Sequence, residues 1–440
     1  MTTTGAVISR RARMAAAWRS GPLSVPGFRL LTAGQFASTI GDYCYAVALP
    51  WLVLSRGGSA ASLGIVLACY GIPRALLTLA GGSLADRFGP RLVMLASDAA
   101  RCGLTAVFAV LAAEHVSSLA ALAPVAAVLG GCAALFTPAS MAIMPELIDG
   151  PGLTMANALY TGGVQLGSML GPVLGGVLVA VTGPTAAFAV DAGSFLLSAV
   201  SIGLITGAAG GRAARASAAD ASAPATEPAA TEPGGPESVW GLLRRSPILQ
   251  IILVVSVTAN FALTGTTEVA LPALAHARFG ADGYGAVLTC VAAASIGGAL
   301  FVARVGDRFR PVTMIAAAFL LAAVAIAAAP FIGGLPGLAA GMAVFGLAIG
   351  FDNVVSVTLI QRWAPPALLG RVWGLLILAG AGSFPVSTFI AGLLARHLGP
   401  TPVFPISGAL LALGILFGLV QREFRDFGVT PKVVPKTVGT

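Results

Sequence analysis

Charge is what this sequence has least of. Of 440 residues only 10% are Asp, Glu, Lys or Arg, against roughly 25% in soluble domains. That excludes a soluble enzyme, a disordered chain and a nucleic-acid-binding domain, so no nucleic-acid partner is expected. Lysine is nearly missing: of 25 basic residues only Lys432 and Lys436 are lysines, and the formal charge of +8 is therefore an arginine charge. The five cysteines (Cys44, Cys69, Cys102, Cys132 and Cys290) fall inside apolar stretches without CxxC spacing, which indicates neither a disulfide framework nor a metal site. His115, His276 and His397 each stand alone in expected outer loops. No GxxxxGK[ST] phosphate loop occurs, so the chain carries no motif for using ATP. No short apolar segment with an AxA-like exit precedes the first long apolar run, and residues 1–28 read as a cytoplasmic tail.

What the chain does have is small and apolar. Hydrophobic residues make up 57%, glycine 56 of 440, and the mean hydropathy is +0.91. Glycine at nearly twice its usual ~7% suits helices packed closely through small residues in lipid. The class is an all-α, multi-pass membrane protein.

A spanning helix needs ~20 mostly apolar residues. Such runs cover 29–54, 61–83, 91–112, 119–142, 156–180 and 186–207, and then 247–271, 284–304, 311–331, 335–359, 372–393 and 402–420. These twelve spans divide the chain into a bundle at 29–208, a linker at 209–246, a second bundle at 247–420 and a tail at 421–440. The linker is rich in Ala, Pro, Ser, Thr and Glu with no apolar period. With the N-terminus cytoplasmic, twenty Lys and Arg fall inside, three fall outside (Arg56, Arg278, Arg396) and two lie in spans (Arg74, Arg101). By the positive-inside rule both termini and the linker are cytoplasmic.

The halves echo each other. Ala85-Asp86-Arg87-Phe88-Gly89-Pro90 follows span two and Gly306-Asp307-Arg308-Phe309-Arg310-Pro311 follows span eight; Gly183-Pro184-Thr185 precedes span six and Gly399-Pro400-Thr401 precedes span twelve. Two pseudo-symmetric six-helix bundles are the expected architecture, as in carriers built from repeats.

Gly82-Ser83-Leu84-Ala85-Asp86-Arg87-Phe88-Gly89-Pro90-Arg91 resembles the GxLADRxGRR signature between spans two and three of the major facilitator superfamily. Pro90 stands where the first of two basic residues is usual. Physically, Gly82 and Gly89 permit a tight turn and close helix approach, and Asp86, Arg87 and Arg91 can make charge-assisted contacts. By resemblance the loop is a cytoplasmic gate, with Asp307 and Arg308 its counterpart in the second half. Gly167 to Gly176 is similar to the GxxxGPxxGG pattern of drug:proton antiporters in that superfamily. Proline kinks a helix and glycines admit a neighbour, so Gly171, Pro172, Gly175 and Gly176 are expected to bend span five and seal one end of a cavity. Phe28 to Leu54, Asp191 to Phe195 and Gln361 to Val372 resemble the macrolide-efflux type, so the likeness extends over most of 28–420. Span four has no arginine, unlike many of those antiporters.

Ionisable residues inside spans mark function, because each costs roughly 2.5–3.5 kcal/mol at a helix centre. Here they are Asp42, Asp98, Arg101, Asp191, Glu268 and Asp352, with Arg74 in span two. Gln35, Ser38, Asp42 and Tyr45 make one polar stripe on span one that must face protein or water. Asn260, Thr264, Thr267 and Glu268 make a second on span seven, and Asp352, Asn353 and Ser356 cluster on span ten. Gln165 belongs to a neutral face of span five. Gln35, Asp42, Tyr45, Gln165, Asn260, Glu268, Asp352 and Asn353 are the expected residues for proton coupling and the substrate cavity. The alternative for Asp42 is a structural hydrogen bond to a neighbouring helix. Asp98 and Arg101, one turn apart, are expected to pair with each other or with the gate; Arg74 is expected either to be a counter-ion for Asp42 or Asp191 or, as the alternative, to snorkel or simply hold the bundle together.

The resemblance implies a monomeric secondary transporter in the cell membrane that needs no cofactor. It would export drugs or other amphipathic molecules in exchange for protons by alternating access, with the proton gradient as its energy source and the lipid bilayer and substrate as its partners. Export of a specific metabolite such as a siderophore would use the same scaffold. A non-transporting membrane sensor is the competing reading.

Overall fold

The computed structural model describes residues 21–54, 57–148, 150–205, 241, 243–244, 246–305, 310–363 and 366–427. The apolar runs form twelve long helices, and no strand occurs among the described residues. In the first half they are α1 (Pro26–Leu54), α2 (Ala60–Phe88), α3 (Pro90–Ala113), α4 (Leu119–Leu147), α5 (Gly150–Thr182) and α6 (Pro184–Gly203). The second half holds α7 (Pro247–Arg278), α8 (Gly280–Val305), α9 (Pro311–Ala328), α10 (Gly334–Trp363), α11 (Pro366–Leu398) and α12 (Val403–Val420). Only helices or closed barrels satisfy every backbone group in hydrocarbon, and the described spans take the helical solution.

Proline and serine set several boundaries. Proline opens α3, α6, α7 and α9, where its missing N–H costs nothing and its fixed φ suits the first turn. The Ser59 side chain caps α2 by accepting from Ser62 N at 3.2 Å. Two expected features change. The gate segment is mostly helix: α2 runs on to Phe88, and the turn into α3 is Gly89 alone, at φ 84°. A side chain is strained at that φ, so glycine is required there. Gly82, by contrast, lies inside α2 with no neighbour within 4 Å, so it mediates no close approach. Asp307 and Arg308 lie outside the described residues.

The helices pack as two groups. In the first, α1 lies against α5 and α6, α2 against α4, and α3 against α4 and α6; in the second, α8 lies against α10, α9 against α10 and α12, and α7 against α11 and α12. Large apolar side chains such as Leu76, Val181 and Val420 are 70%, 77% and 74% exposed. That is the surface expected of helices whose outer faces meet acyl chains.

Within the second group, α8 and α10 are nearly in backbone contact. Gly346 faces the Val291 carbonyl and Gly350 that of Ser295, so a Cβ at either would overlap main-chain atoms. Such overpacking costs about 1–3 kcal/mol. Gly350→Leu is therefore expected to lower the thermal midpoint of the purified protein clearly below that of Gly103→Leu, since Gly103 has open space around it. Equal midpoints by intrinsic fluorescence would contradict this packing.

Candidate functional site

Three features bear on function, two of them where the two groups meet. The first is a cavity of about 710 Å³. Tyr43, Gln165, Ser168, Met169 and Pro172 contribute from the first half; Asn260, Thr264, Thr267, Glu268, Asp352, Asn353 and Ser356 supply its polar wall in the second. Much of the rest is apolar, from Leu288, Phe319, Phe345 and Ile349 to Phe424 and Phe427. The lining carries two carboxylates and, among the described residues, no basic side chain. Ser356 donates to Asp352 Oδ1 at 2.5 Å, and Asn260 Nδ2 donates to the Ser256 carbonyl at 2.9 Å. Both side chains are thereby held by their own helices, one turn away.

Glu268 owes its position to an irregularity. Helix α7 contains a π turn at Thr266–Ala270, and Glu268 sits at its centre. A π turn accommodates one extra residue and occurs frequently at functional sites. Arg74 of α2 lies within electrostatic reach of Glu268 as well as of Asp42, and its guanidinium is 5.6 Å from the centre of the Tyr70 ring. It thus acts electrostatically on a carboxylate of each half. Asp191, the other expected partner, is not among its neighbours.

The second feature is a charged cluster inside the first half. Asp98 and Arg101 form a buried ion pair one turn apart on α3, and the Arg101 guanidinium lies over the rings of Phe136 and Phe195 at 4.5 and 4.2 Å. Asp191 on α6 is 1% exposed, and a Cβ at Gly41 would meet its carboxylate 2.6 Å away. Breaking a buried pair by removing one partner costs about 3–5 kcal/mol. Arg101→Met is expected to destabilise the protein by that order in a thermal or denaturant scan, and a double variant, Asp98→Asn with Arg101→Met, by less. A double variant no more stable than Arg101→Met would argue against the pairing.

The polar stripe of α1 faces protein, as its composition requires, but not the cavity. Ser38 and Tyr45 are buried, Asp42 and Gln35 are half-buried, and none of the four lines the cavity. Tyr45 packs instead with Tyr70, Phe108 and Phe188, at ring distances of 6.4, 5.4 and 5.7 Å, and Gln35 donates to Thr39 Oγ1 at 3.2 Å. Sequence reasoning missed Tyr43, which sits one residue off the stripe and therefore turns to the cavity. Its signal was an aromatic hydroxyl beside a carboxylate.

The third feature is a seal at the end away from the N-terminus. The Trp51 ring stacks on Tyr284 of α8 at 5.3 Å and meets His276 of α7 edge-on at 5.6 Å. His276 is thus in a helix and in contact, not alone in a loop. Gly176 on α5 faces Gly285 on α8, where a Cβ would stand 2.7 Å from the opposite Cα. Gly392 on α11 would similarly meet Gly64 Cα of α2 at 3.1 Å. Gly171 and Gly175 instead admit α1, facing Tyr43 and Cys44, while Pro172 lies within α5 and lines the cavity. On the N-terminal side a Cβ at Gly82 of α2 or Gly374 of α11 would meet nothing within 4 Å, and Phe88 is exposed. Asp86 and Arg87 are exposed there too; the Arg87 guanidinium lies 5.3 Å from the Phe88 ring centre. Arg91 donates to the carbonyls of Ile202 and Gly203 at 3.2 and 2.6 Å, tying α3 to the C-terminal end of α6.

A cavity between two six-helix groups joined at one end is a carrier architecture. The family model described as Major Facilitator Superfamily matches residues 31–286 and 257–434. The chain belongs to the major facilitator superfamily. Members of this superfamily are transporters of small molecules rather than enzymes. Among relatives, the multidrug efflux pump Tap of Mycolicibacterium fortuitum is 30% identical over 413 residues, 92% of this chain and 97% of Tap. The enterobactin exporter EntS of Escherichia coli O1:K1 / APEC is 26% identical over 415 residues, 93% and 95% of the two chains. Among solved structures, a D-xylose–proton symporter superposes with a TM-score of 0.66 at 15% identity, over 89% of this chain and 96% of the other. A bacterial homologue of ferroportin in an inward-facing state also gives 0.66 at 15% identity, over 89% and 97%. Those likenesses are likenesses of fold.

Proposed function

We propose that this transporter exports cationic, amphipathic small molecules, macrolide-type drugs among them, in exchange for protons. The carrying observation is the cavity lining: an apolar wall interrupted by Glu268 and Asp352, with no basic side chain among the described residues that line it. Apolar surface takes up a lipophilic body, and two carboxylates in a low-dielectric cleft attract a positive charge strongly. Tap, a multidrug efflux pump similar over nearly the full length, supports export. Burial favours the neutral form of a carboxyl group, so acidic side chains in such surroundings are suited to exchanging a proton against a cationic substrate.

The seal at one end supports alternating access as part of this reading. With the termini cytoplasmic, as the arginine distribution predicts, the Trp51 end is extracellular and the cavity faces inward, ready to load from the cytoplasm. Asp86 and Arg87 then latch only in the opposite state, when α2 and α11 close around Gly82. The similarity to EntS favours a second reading, export of a siderophore-like metabolite. Anionic catecholates suit this lining less well, because they meet two like charges.

Reconstituted protein should accumulate ethidium in proteoliposomes under an imposed pH gradient and lose it on addition of a protonophore. Asp352→Asn should weaken ethidium binding roughly tenfold, ~1.4 kcal/mol, while leaving a neutral substrate of similar size less affected. Equal weakening for both would remove the charge from the specificity argument, and absence of any flux by folded protein would favour the sensor.

A further inference from the structure

Toward the end opposite the seal, the cavity has an apolar arm. It is bordered by Val255 of α7, Val312 and Phe319 of α9, Leu359 of α10 and Ile415 of α12, together with Phe424 and Phe427. All seven belong to one apolar cluster, and none comes from the first half. Each is at most 9% exposed although it borders the cavity, so this arm is a narrow slot and not a vestibule. Along α7 and α10 it leads away from Glu268 and Asp352 toward the helix ends that lie nearest the C-terminal tail.

Phe424 and Phe427 belong to no span. Helix α12 stops at Val420, Gln421 is extended at φ −79° and ψ 126°, and the chain then makes one further turn of helix, Arg422–Arg425. The Phe427 N–H donates to the Phe424 carbonyl at 3.2 Å. The two rings, three residues apart, thereby fall on one side of this strap, while Arg422, Glu423 and Arg425 are exposed. The Phe424 ring rests on α12 at Gly418, where a Cβ would stand 3.0 Å from it. The Phe427 ring meets Trp363, at the end of α10, edge-on at 5.7 Å. Two rings that merely anchored a tail would need only neighbours. These two also border the cavity's free space, so the strap supplies the floor of the slot.

We propose that Phe424 and Phe427 are specificity-determining residues: they close the slot at a fixed depth and so limit the length of apolar arm that a substrate can carry while its charged group sits at Glu268 and Asp352. The position of the charged group rests on the export reading above; the depth of the slot does not. Burying one methylene is worth about fourfold in affinity. A chain therefore gains affinity as far as the floor and stops gaining beyond it.

The test uses purified full-length protein and alkyltrimethylammonium ions that differ only in the length of one unbranched chain, displacing bound ethidium. Ratios between variants in one detergent are read, so that partition of the chain into micelles cancels. Phe424→Ala and Phe427→Ala should match the unaltered protein within about twofold for short chains and, past the length that reaches the floor, bind about fourfold tighter for each further methylene admitted. Phe417→Ala, which removes the same ring from the exposed side of α12, should leave the ratio at one throughout.

A second measurement needs no variant of the strap. Because Trp363 meets Phe427, an ion whose chain reaches the floor and ends in bromine should quench the fluorescence that Trp363→Phe removes, and an excess of the unbrominated ion should reverse the quenching. Shorter brominated chains should bind without it. A ratio near one at every length for both strap variants overturns the proposal, as do bound long-chain ions that leave Trp363 fluorescence untouched. If the ammonium ions fail to bind folded protein, bromoalkanols of the same lengths replace them. Reversible quenching of Trp363 by those alcohols upholds the slot and overturns the cationic reading alone; its absence overturns both.

Discussion

Asp42→Asn is expected to reduce gradient-driven ethidium transport to the level that the unaltered protein shows in the presence of a protonophore. Asparagine keeps the size and hydrogen-bonding reach of aspartate but cannot take up or release a proton. Asp42 is half-buried beside Gly41, which packs on Asp191, and Arg74 acts on it electrostatically, while the adjacent Tyr43 lines the cavity. Charge at this position therefore reports to the buried cluster and, through Arg74, to Glu268 of the second half. The effect is to be separated from misfolding by gel filtration and thermal unfolding of the same preparation. Transport that still follows the pH gradient at the normal rate in a folded Asp42→Asn protein would sink the coupling role given to this residue.

The second large effect is mechanical. Gly176→Val places a branched side chain where even a Cβ would stand 2.7 Å from Gly285 Cα, at a contact between the halves. Overpacking costs about 1–3 kcal/mol. In the proposed alternating-access cycle this contact exists only while the far end is closed, so the cost falls on one conformer and shifts the population ratio about 5- to 150-fold. Spin labels on the far ends of α5 and α8 should report longer distances, and turnover should fall by an order of magnitude. Distances and turnover equal to those of the unaltered protein would show that the Gly176–Gly285 contact is no part of the seal.

The helices were legible from apolar run length alone, since hydrocarbon permits little else. Boundaries differed where a helix continued beyond its hydrophobic stretch: α2 reaches Phe88 although the apolar run ends near Ser83, because Asp86 and Arg87 are content in a helix once they reach water. Site residues were legible by type more than by address. Glu268, Asn260, Asp352, Asn353 and Gln165 line the cavity, whereas Tyr45 on the same kind of polar stripe is walled in by three aromatic rings. A stripe says that a face avoids lipid; it does not say whether the face meets a neighbour or a cleft. The packing of Asp191 against Gly41 was beyond reach for another reason: it depends on how closely α1 and α6 approach at Gly34 and Gly41, a matter of two helices and not of one.

The π turn at Thr266–Ala270 makes the second half depend on length as well as identity. An α-helix advances about 100° per residue, and a π turn absorbs one surplus residue without passing that rotation on. Deleting one residue there would let α7 relax to regular winding with Leu271–Arg278 still in register, so His276 would stay against Trp51. Glu268, at the centre of the turn, would lose the local bulge that sets it in the cavity wall. Length is thus adjustable at this one place, and homologues shorter there by one residue would keep the outer seal while presenting a different cavity wall.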